Sequence, residues 1–292
     1  MKKTSHLIGI LMLVPCMILI FALMLYPVAI SLKMSFYRET LTGLRTRFIG
    51  FSNYAYLWQN RKFIAAFLRG FIWVGGTLTF QTLLGVGAAL LLNQKFLGRG
   101  FARGCVLLPF FLPGVSIYLV WRWMYSDLYG VINQALLDLH LITEPILWLS
   151  SINLAMWALI FMAGWIYFPF VTINILARLQ TIEPQLYEAA RIDGASFWKC
   201  FVHITLPQVR SVLLVVILLR ALWMFNKFNE IWIVTAGGPA GSTTTLPVLA
   251  FKEAFKVQRL GRASAITTTL FILVLAVATI YLVTFKPAKE VT

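Results

Sequence analysis

Four residues of one apolar stretch, Ser211–Thr235, could do chemistry: Arg220, Met224, Lys227 and Glu230. If the stretch is one helix, positions 220, 224 and 227 share a face. Arg220 and Lys227 are then about 10 Å apart along its axis. A charge at the centre of a membrane span costs about 2.5–3.5 kcal/mol on insertion scales. Such charges persist where they meet a wet cavity or a partner. Two structural arrangements compete with a binding role: Arg220 snorkels to the membrane surface, or Lys227 pairs with Glu230 at i,i+3. The other reactive side chains are scattered. His6, His140 and His203 lack metal-ligand spacing, and Cys16, Cys105 and Cys200 imply no disulfide framework. "GGPAGSTTT", residues 237–245, looks like a phosphate loop. It lacks the Lys of GxxxxGK[ST] and follows no strand, so it reads as a Gly/Pro turn.

The elements that must position these residues are membrane helices. Mean hydropathy is +0.83 and only 12% of the 292 residues are charged, against about a quarter in soluble domains. A bilayer core needs roughly 20 apolar helical residues. Charge-free runs meet or approach that length at Leu7–Ile30, Gly70–Gln94, Gly104–Trp121, Ile146–Ala177 and Ala263–Phe285; Ser211–Thr235 is the sixth. The expectation is an all-α integral membrane protein, one domain over residues 1–292. Its spans fall roughly at 7–30, 70–94, 104–124, 153–177, 211–235 and 263–285. The tail from Ile146 onward either begins span four or lies at the interface. Lys2 and Lys3 precede the first run, but its apolar part is too long for a signal peptide and no small-residue cleavage site follows. Gly70, Gly75, Gly76, Gly85 and Gly87 suit close helix packing in lipid. With the N-terminus inside, 11 Lys/Arg lie inside and 12 outside, so charge bias does not orient the chain.

"LYEAARIDGASFWKCFVHITLPQVR", residues 186–210, is too polar to cross lipid. Pro184 suits a helix N1 position and Asp193-Gly194 a C-cap. Ser196 or Asp193 can cap a second helix carrying Phe197, Trp198 and Phe201, and Pro207 marks the entry to span five. Physics alone leaves two uses open: a knob for a cytoplasmic socket, or an interfacial tie between spans. Glu188-Ala189-Ala190, three residues, Gly194, nine residues, Ile204, one residue and Leu206-Pro207 resemble the EAA loop of ABC-importer permeases at every position. "FIGFSNYAYLW", "LLPFFLPG", "INILARLQTIEPQLYEAARIDGA" and "FNEIWIVTAGGPAGSTTTLPVLAFKEAF" are similar to the carbohydrate-uptake branch, of maltose and glycerol-phosphate type. The chain departs from the maltose subunit in having six rather than eight spans and no large periplasmic insert.

The resemblance implies a type I importer permease fold whose loop 183–207 faces the cytoplasm, with both termini inside a bacterial inner membrane. It implies that Glu188, Ala189, Ala190, Asp193 and Gly194 dock on an ATPase subunit. It further implies a substrate path along Ile166, Tyr167 and Phe170, near a break at Pro169, and along Arg220, Met224 and Lys227. Sugar permeases typically fill the last three positions with small polar or amide side chains, so cations there imply an anionic sugar ahead of a neutral one. Partners implied are a second homologous permease, two ATPase subunits holding ATP and Mg, an extracytoplasmic solute-binding protein and membrane lipid, but no nucleic acid. Segment 33–69 carries seven Lys/Arg against Glu39 alone, a field that attracts acidic ligands or protein faces. An ion-coupled secondary transporter is the rival class. It needs internal repeats and its own coupling-ion site; no repeat is evident, and Glu230 is the lone acid of the spans.

Overall fold

The computed structural model describes residues 12–40 and 46–285. In chain order these form α1 (Met12–Met34), β1 (Tyr37–Arg38), β2 (Arg47–Phe48), α2 (Ser52–Gln59), α3 (Arg61–Asn93), α4 (Arg99–Phe111) and α5 (Gly114–Met124). There follow α6 (Val131–Asp138), α7 (Ala155–Leu179), α8 (Pro184–Ile192), α9 (Phe197–Phe225), α10 (Asn229–Thr235), α11 (Leu246–Phe251) and α12 (Leu260–Phe285). Helices α1, α3, α7, α9 and α12 are each long and apolar enough to cross a membrane. The pair α4 and α5 makes a sixth crossing if counted as one span, bent by 94°. Leu7–Leu11 of the first expected span, His6 and both termini lie outside the described residues.

The chain divides into two compact units. Of the described residues, the first comprises 12–40, 46–65 and 249–273. Within it, β1 pairs antiparallel with β2, Tyr37 opposite Phe48. Asn53, buried on α2, donates to the carbonyls of Ser35 at 2.8 Å and Tyr37 at 3.0 Å, so α2 reads the turn that leaves α1. Gly261 is obligatory there: a Cβ would lie 2.0 Å from the Tyr37 carbonyl. Arg262 stacks its guanidinium 3.5 Å from the Tyr56 ring centroid. In the π turn Lys252–Lys256, burial and repulsion from Lys256 push the Lys252 ammonium below the usual lysine range.

Of the described residues, the second unit comprises 66–248 and 274–285. Its centre is α7, with 61% of its most apolar stretch buried. Lipid tails are as apolar as leucine, so helices associate here through tight contact rather than escape from water. Small residues make that contact. A Cβ on Gly76 would lie 2.7 Å from Ile160, on Gly85 2.5 Å from Val171, and on Gly164 2.0 Å from Phe80. Gly70, Gly75 and Gly87 have open space instead. Ala89, Leu92, Val171, Ile175, Leu179, Val209 and Val216 form the core where α3, α7 and α9 meet.

The expectations for spans four and five require correction. Pro169 does not break span four: α7 runs through it. Neighbouring helices compensate a proline in a span. Span three is a bent pair of helices. Leu112 and Pro113 are extended, because a proline disfavours helix at the residue before it, whereas Pro109 is absorbed within α4. Span five is not 211–235. Helix α9 starts at Phe197, so the second elbow helix is the first turns of the span. Pro207 lies inside α9, just after a π turn at Phe201–Thr205. The helix ends at Phe225, and Lys227 therefore lies outside it. The segment from Ile146 precedes α7 as a loop pinned by Asn133, whose amide accepts from the Ile146 N–H and Trp148 Nε1 and donates to the Ile146 carbonyl.

Candidate functional site

The chain stops being helical at Asn226, whose Nδ2 donates to the Leu222 carbonyl at 2.9 Å. The Met224 carbonyl, freed by that ending, accepts from Trp73 Nε1 at 3.0 Å and from the Lys227 N–H at 3.2 Å. Lys227 thus turns back toward α7 and Glu230 falls in the first turn of α10, where an acid is favoured by the helix dipole. The sequence-expected face is assembled by a different route. Arg220 and Met224 share the face of α9, with Arg220 Nη2 3.8 Å from Met224 Sδ; Lys227 joins them by the turn.

Arg220 and Lys227 converge on Tyr167. The Arg220 guanidinium lies 4.3 Å from that ring centroid, with Trp223 at 5.5 Å and Phe170 at 5.8 Å. Its Nε donates to Gln81 Oε1 at 2.8 Å. Lys227 Nζ donates to the Tyr167 hydroxyl at 2.7 Å and pairs with Glu230 at 2.8 Å. The Tyr167 hydroxyl in turn donates to Glu230 Oε1, and Tyr118 of α5 reaches the same oxygen at 3.0 Å. Of the two structural alternatives, pairing of Lys227 with Glu230 is what forms. Arg220 does not snorkel; it is only 2% exposed. Ile166, Tyr167 and Met224 are buried and Phe170 is half-buried.

Sequence reasoning missed Tyr118, Gln81 and Trp73. Gln81 carried a usable signal, being an amide inside the long apolar run of α3. It is fully buried, and its Nε2 has no acceptor among the described residues. The arrangement can hold a buried positive charge beside aromatic faces, the chemistry that recognises sugar rings and anions. It offers no metal site: among the described residues, no group of three or more His, Cys, Asp or Glu lies together. The 237–245 turn is closed on itself, with Thr243 donating to the Gly238 carbonyl and Thr244 to that of Gly237.

The second site is the elbow. Pro184 opens α8 and Gly194, at φ +74°, closes it. The Gly194 N–H bonds the Arg191 carbonyl and the Ala195 N–H that of Ala190, the paired bonds of a Schellman cap. Ser196 caps the start of α9 by accepting from the Lys199 N–H at 3.4 Å. Glu188, Ala189, Asp193 and Gly194 are exposed and Ala190 half-buried. Beside them Ile192, Phe197 and Trp198 stand in the open. Two ties root the elbow. The Tyr187 and Thr205 hydroxyls lie 2.9 Å apart, and Arg178 donates to Gln208 through Nε at 2.8 Å and Nη2 at 2.9 Å.

Residues 81–286 match the family described as binding-protein-dependent transport system inner membrane component. The chain belongs to that family. It is a permease subunit of an ABC transporter, a class whose ATPase is a separate subunit. It is similar to the Escherichia coli inner membrane ABC transporter permease protein YcjO, 33% identical over 92% of this chain and 91% of that one. The trehalose/maltose transport system permease protein MalF of Thermococcus litoralis is 34% identical over 97% and 95%. The sulfoquinovosyl glycerol transport system permease protein SmoG of Agrobacterium fabrum is 34% identical over 95% and 90%. The fold is similar to a chain of the crystal structure of a bacterial ABC transporter involved in the import of the acidic polysaccharide alginate. There the TM-score is 0.82 over 97% of this chain and 98% of that one, at 23% identity, a likeness of fold.

Proposed function

We propose that this permease lines one half of the path of an ATP-driven carbohydrate importer whose solute is an acidic sugar, a uronate oligosaccharide or a sugar phosphate. The observation that carries the charge preference is Arg220. It is a buried guanidinium whose contacts are a neutral amide, a thioether and aromatic faces. Lys227 and Glu230 offset one another, so the cluster keeps one positive charge. A buried cation that must share a single carboxylate with a second cation is under-compensated, which is costly. A carboxylate or phosphate on the solute supplies a further counter-ion when the path opens. The relatives support a carbohydrate: one is named for trehalose and maltose, another for sulfoquinovosyl glycerol.

In this reading Ile166, Tyr167, Phe170, Arg220, Met224 and Lys227 face a path shared with a second, homologous permease. The elbow, with Glu188, Ala189, Ala190, Asp193 and Gly194, docks on one of two ATPase subunits, which bind the ATP and Mg. Both termini are cytoplasmic, and a solute-binding protein delivers from the opposite side. A lever that makes different contacts in two states is what alternating access needs.

The Lys227–Glu230 bond favours a second reading, in which the cations only tie helices together and the sugar is neutral. Uptake of paired acidic and neutral sugars by cells carrying Arg220→Ser, Lys227→Asn or both separates the two. Selective loss of acidic-sugar uptake is expected; unchanged acidic uptake in both variants would sink the charge preference. An ATP requirement without a proton or sodium gradient separates the importer from an ion-coupled carrier.

A further inference from the structure

Arg103, in the first turns of α4, belongs to neither the charged cluster nor the elbow. It lines a cavity of about 240 Å³ between α3, α4 and α7, whose walls include Leu92, Val106, Ile173, Leu176 and Ala177. Its Nε and Nη2 are shut off from solvent and find no acceptor among the described residues. Two other polar residues line the cavity, Thr172 and Gln180, and neither accepts from the Nε or Nη2 of Arg103; Thr172 donates its own hydroxyl to the Phe168 carbonyl. No acidic side chain lines the cavity, and the sequence has no Asp or Glu between Glu39 and Asp127. Lys95 and Arg99, in the same short connection, add positive charge instead. A guanidinium cannot shed its proton to escape this position, and donors left unmade in the interior are expensive.

We infer that Arg103 holds the phosphate of an anionic phospholipid, with an acyl chain against the apolar wall. A phosphate oxygen offers acceptors that the guanidinium fork fits. Basic pockets between membrane helices are suited to anionic headgroups. The apolar wall favours a lipid over free phosphate, which would leave most of the cavity surface unmatched. The site lies at the end of α7 that leads into the elbow, since Gln180 also lines it. Leu176 belongs to the core against which Tyr187 of the elbow packs. This inference stands apart from the sugar reading.

The test uses the full-length chain in mild detergent, titrated with phosphatidylglycerol or phosphatidylcholine of identical acyl chains and read by native mass spectrometry. Phosphatidylglycerol should be retained in preference to phosphatidylcholine. Arg103→Gln should weaken that retention about tenfold, the worth of one charge-assisted hydrogen bond, while Lys62→Gln should leave it unchanged. Arg103→Lys, which keeps the charge but not the fork, should fall between. The thermal midpoint of lipid-free Arg103→Gln should equal or exceed that of the lipid-free parent, because a half-buried charge with two unpartnered donors has been removed; this also checks that the variant folds. Equal retention of the two lipids, equal retention by Arg103→Gln and parent, or displacement by millimolar inorganic phosphate would each overturn the assignment.

Discussion

Tyr167 does two jobs with different parts of one side chain, and substitution separates them. Its hydroxyl accepts from Lys227 and donates to Glu230; its ring carries Arg220. Tyr167→Phe keeps the ring and removes the hydroxyl, so the buried carboxylate loses a donor at a cost of about 1–3 kcal/mol. Tyr167→Leu removes both and should cost roughly 0.5–2 kcal/mol more, the range for a cation over an aromatic face. Thermal midpoints of the purified chain should therefore fall in the order parent, Phe, Leu. Equal midpoints for Phe and Leu would mean that Arg220 gains nothing from the ring. The sequence revealed that Arg220 and Lys227 needed partners, because charges within apolar runs always do. It concealed that one tyrosine meets both, since Tyr167 lies 53 positions before Arg220 on another helix.

Elements were legible where a local rule governs them. Pro184, Gly194 and Ser196 act where their chemistry says they should, because helix ends are set by neighbours in sequence. The end of α9 was not legible: Asn226–Asn229 contains neither proline nor glycine, and the turn is held by Trp73 from α3. Proline was equally ambiguous, for Pro109 and Pro169 are absorbed while Pro113 breaks the chain. Glycine roles divide in the same way. Gly85→Ala should cost about 1–3 kcal/mol through overpacking, since the new carbon meets a stiff valine and a carbonyl. Gly87→Ala meets nothing within 4 Å and should gain up to about 1 kcal/mol of helix propensity. Heat-induced loss of solubility in detergent ranks the two; a larger loss for Gly87→Ala would contradict the helix contact described.

At the scale of the whole molecule, the expected permease is recovered as a family member, with six crossings when α4 and α5 count as one, and its two candidate sites sit on opposite ends of α9. The elbow precedes that helix and the charged cluster closes it. If the elbow meets an ATPase, a cysteine at Ala189 should crosslink to that subunit in a background with Cys16 and Cys105 replaced, since both native thiols are exposed. Labelling of the same cysteine by impermeant reagents from the external side would place the elbow on the wrong face. Tyr187→Phe and Arg178→Gln should leave ATP hydrolysis intact while lowering transport per ATP, because the first cuts the tie from α8 to α9 and the second the tie that clamps α7 to α9 at the base of the elbow.

Those two ties give the lever almost no backlash. A joint with play absorbs a stroke before passing it on. One fastened by a hydroxyl pair on one side and a guanidinium on the other starts its load moving at the first ångström. If the elbow docks on an ATPase as proposed, the solute moved per ATP would depend on how firmly Tyr187 and Arg178 grip their anchorages.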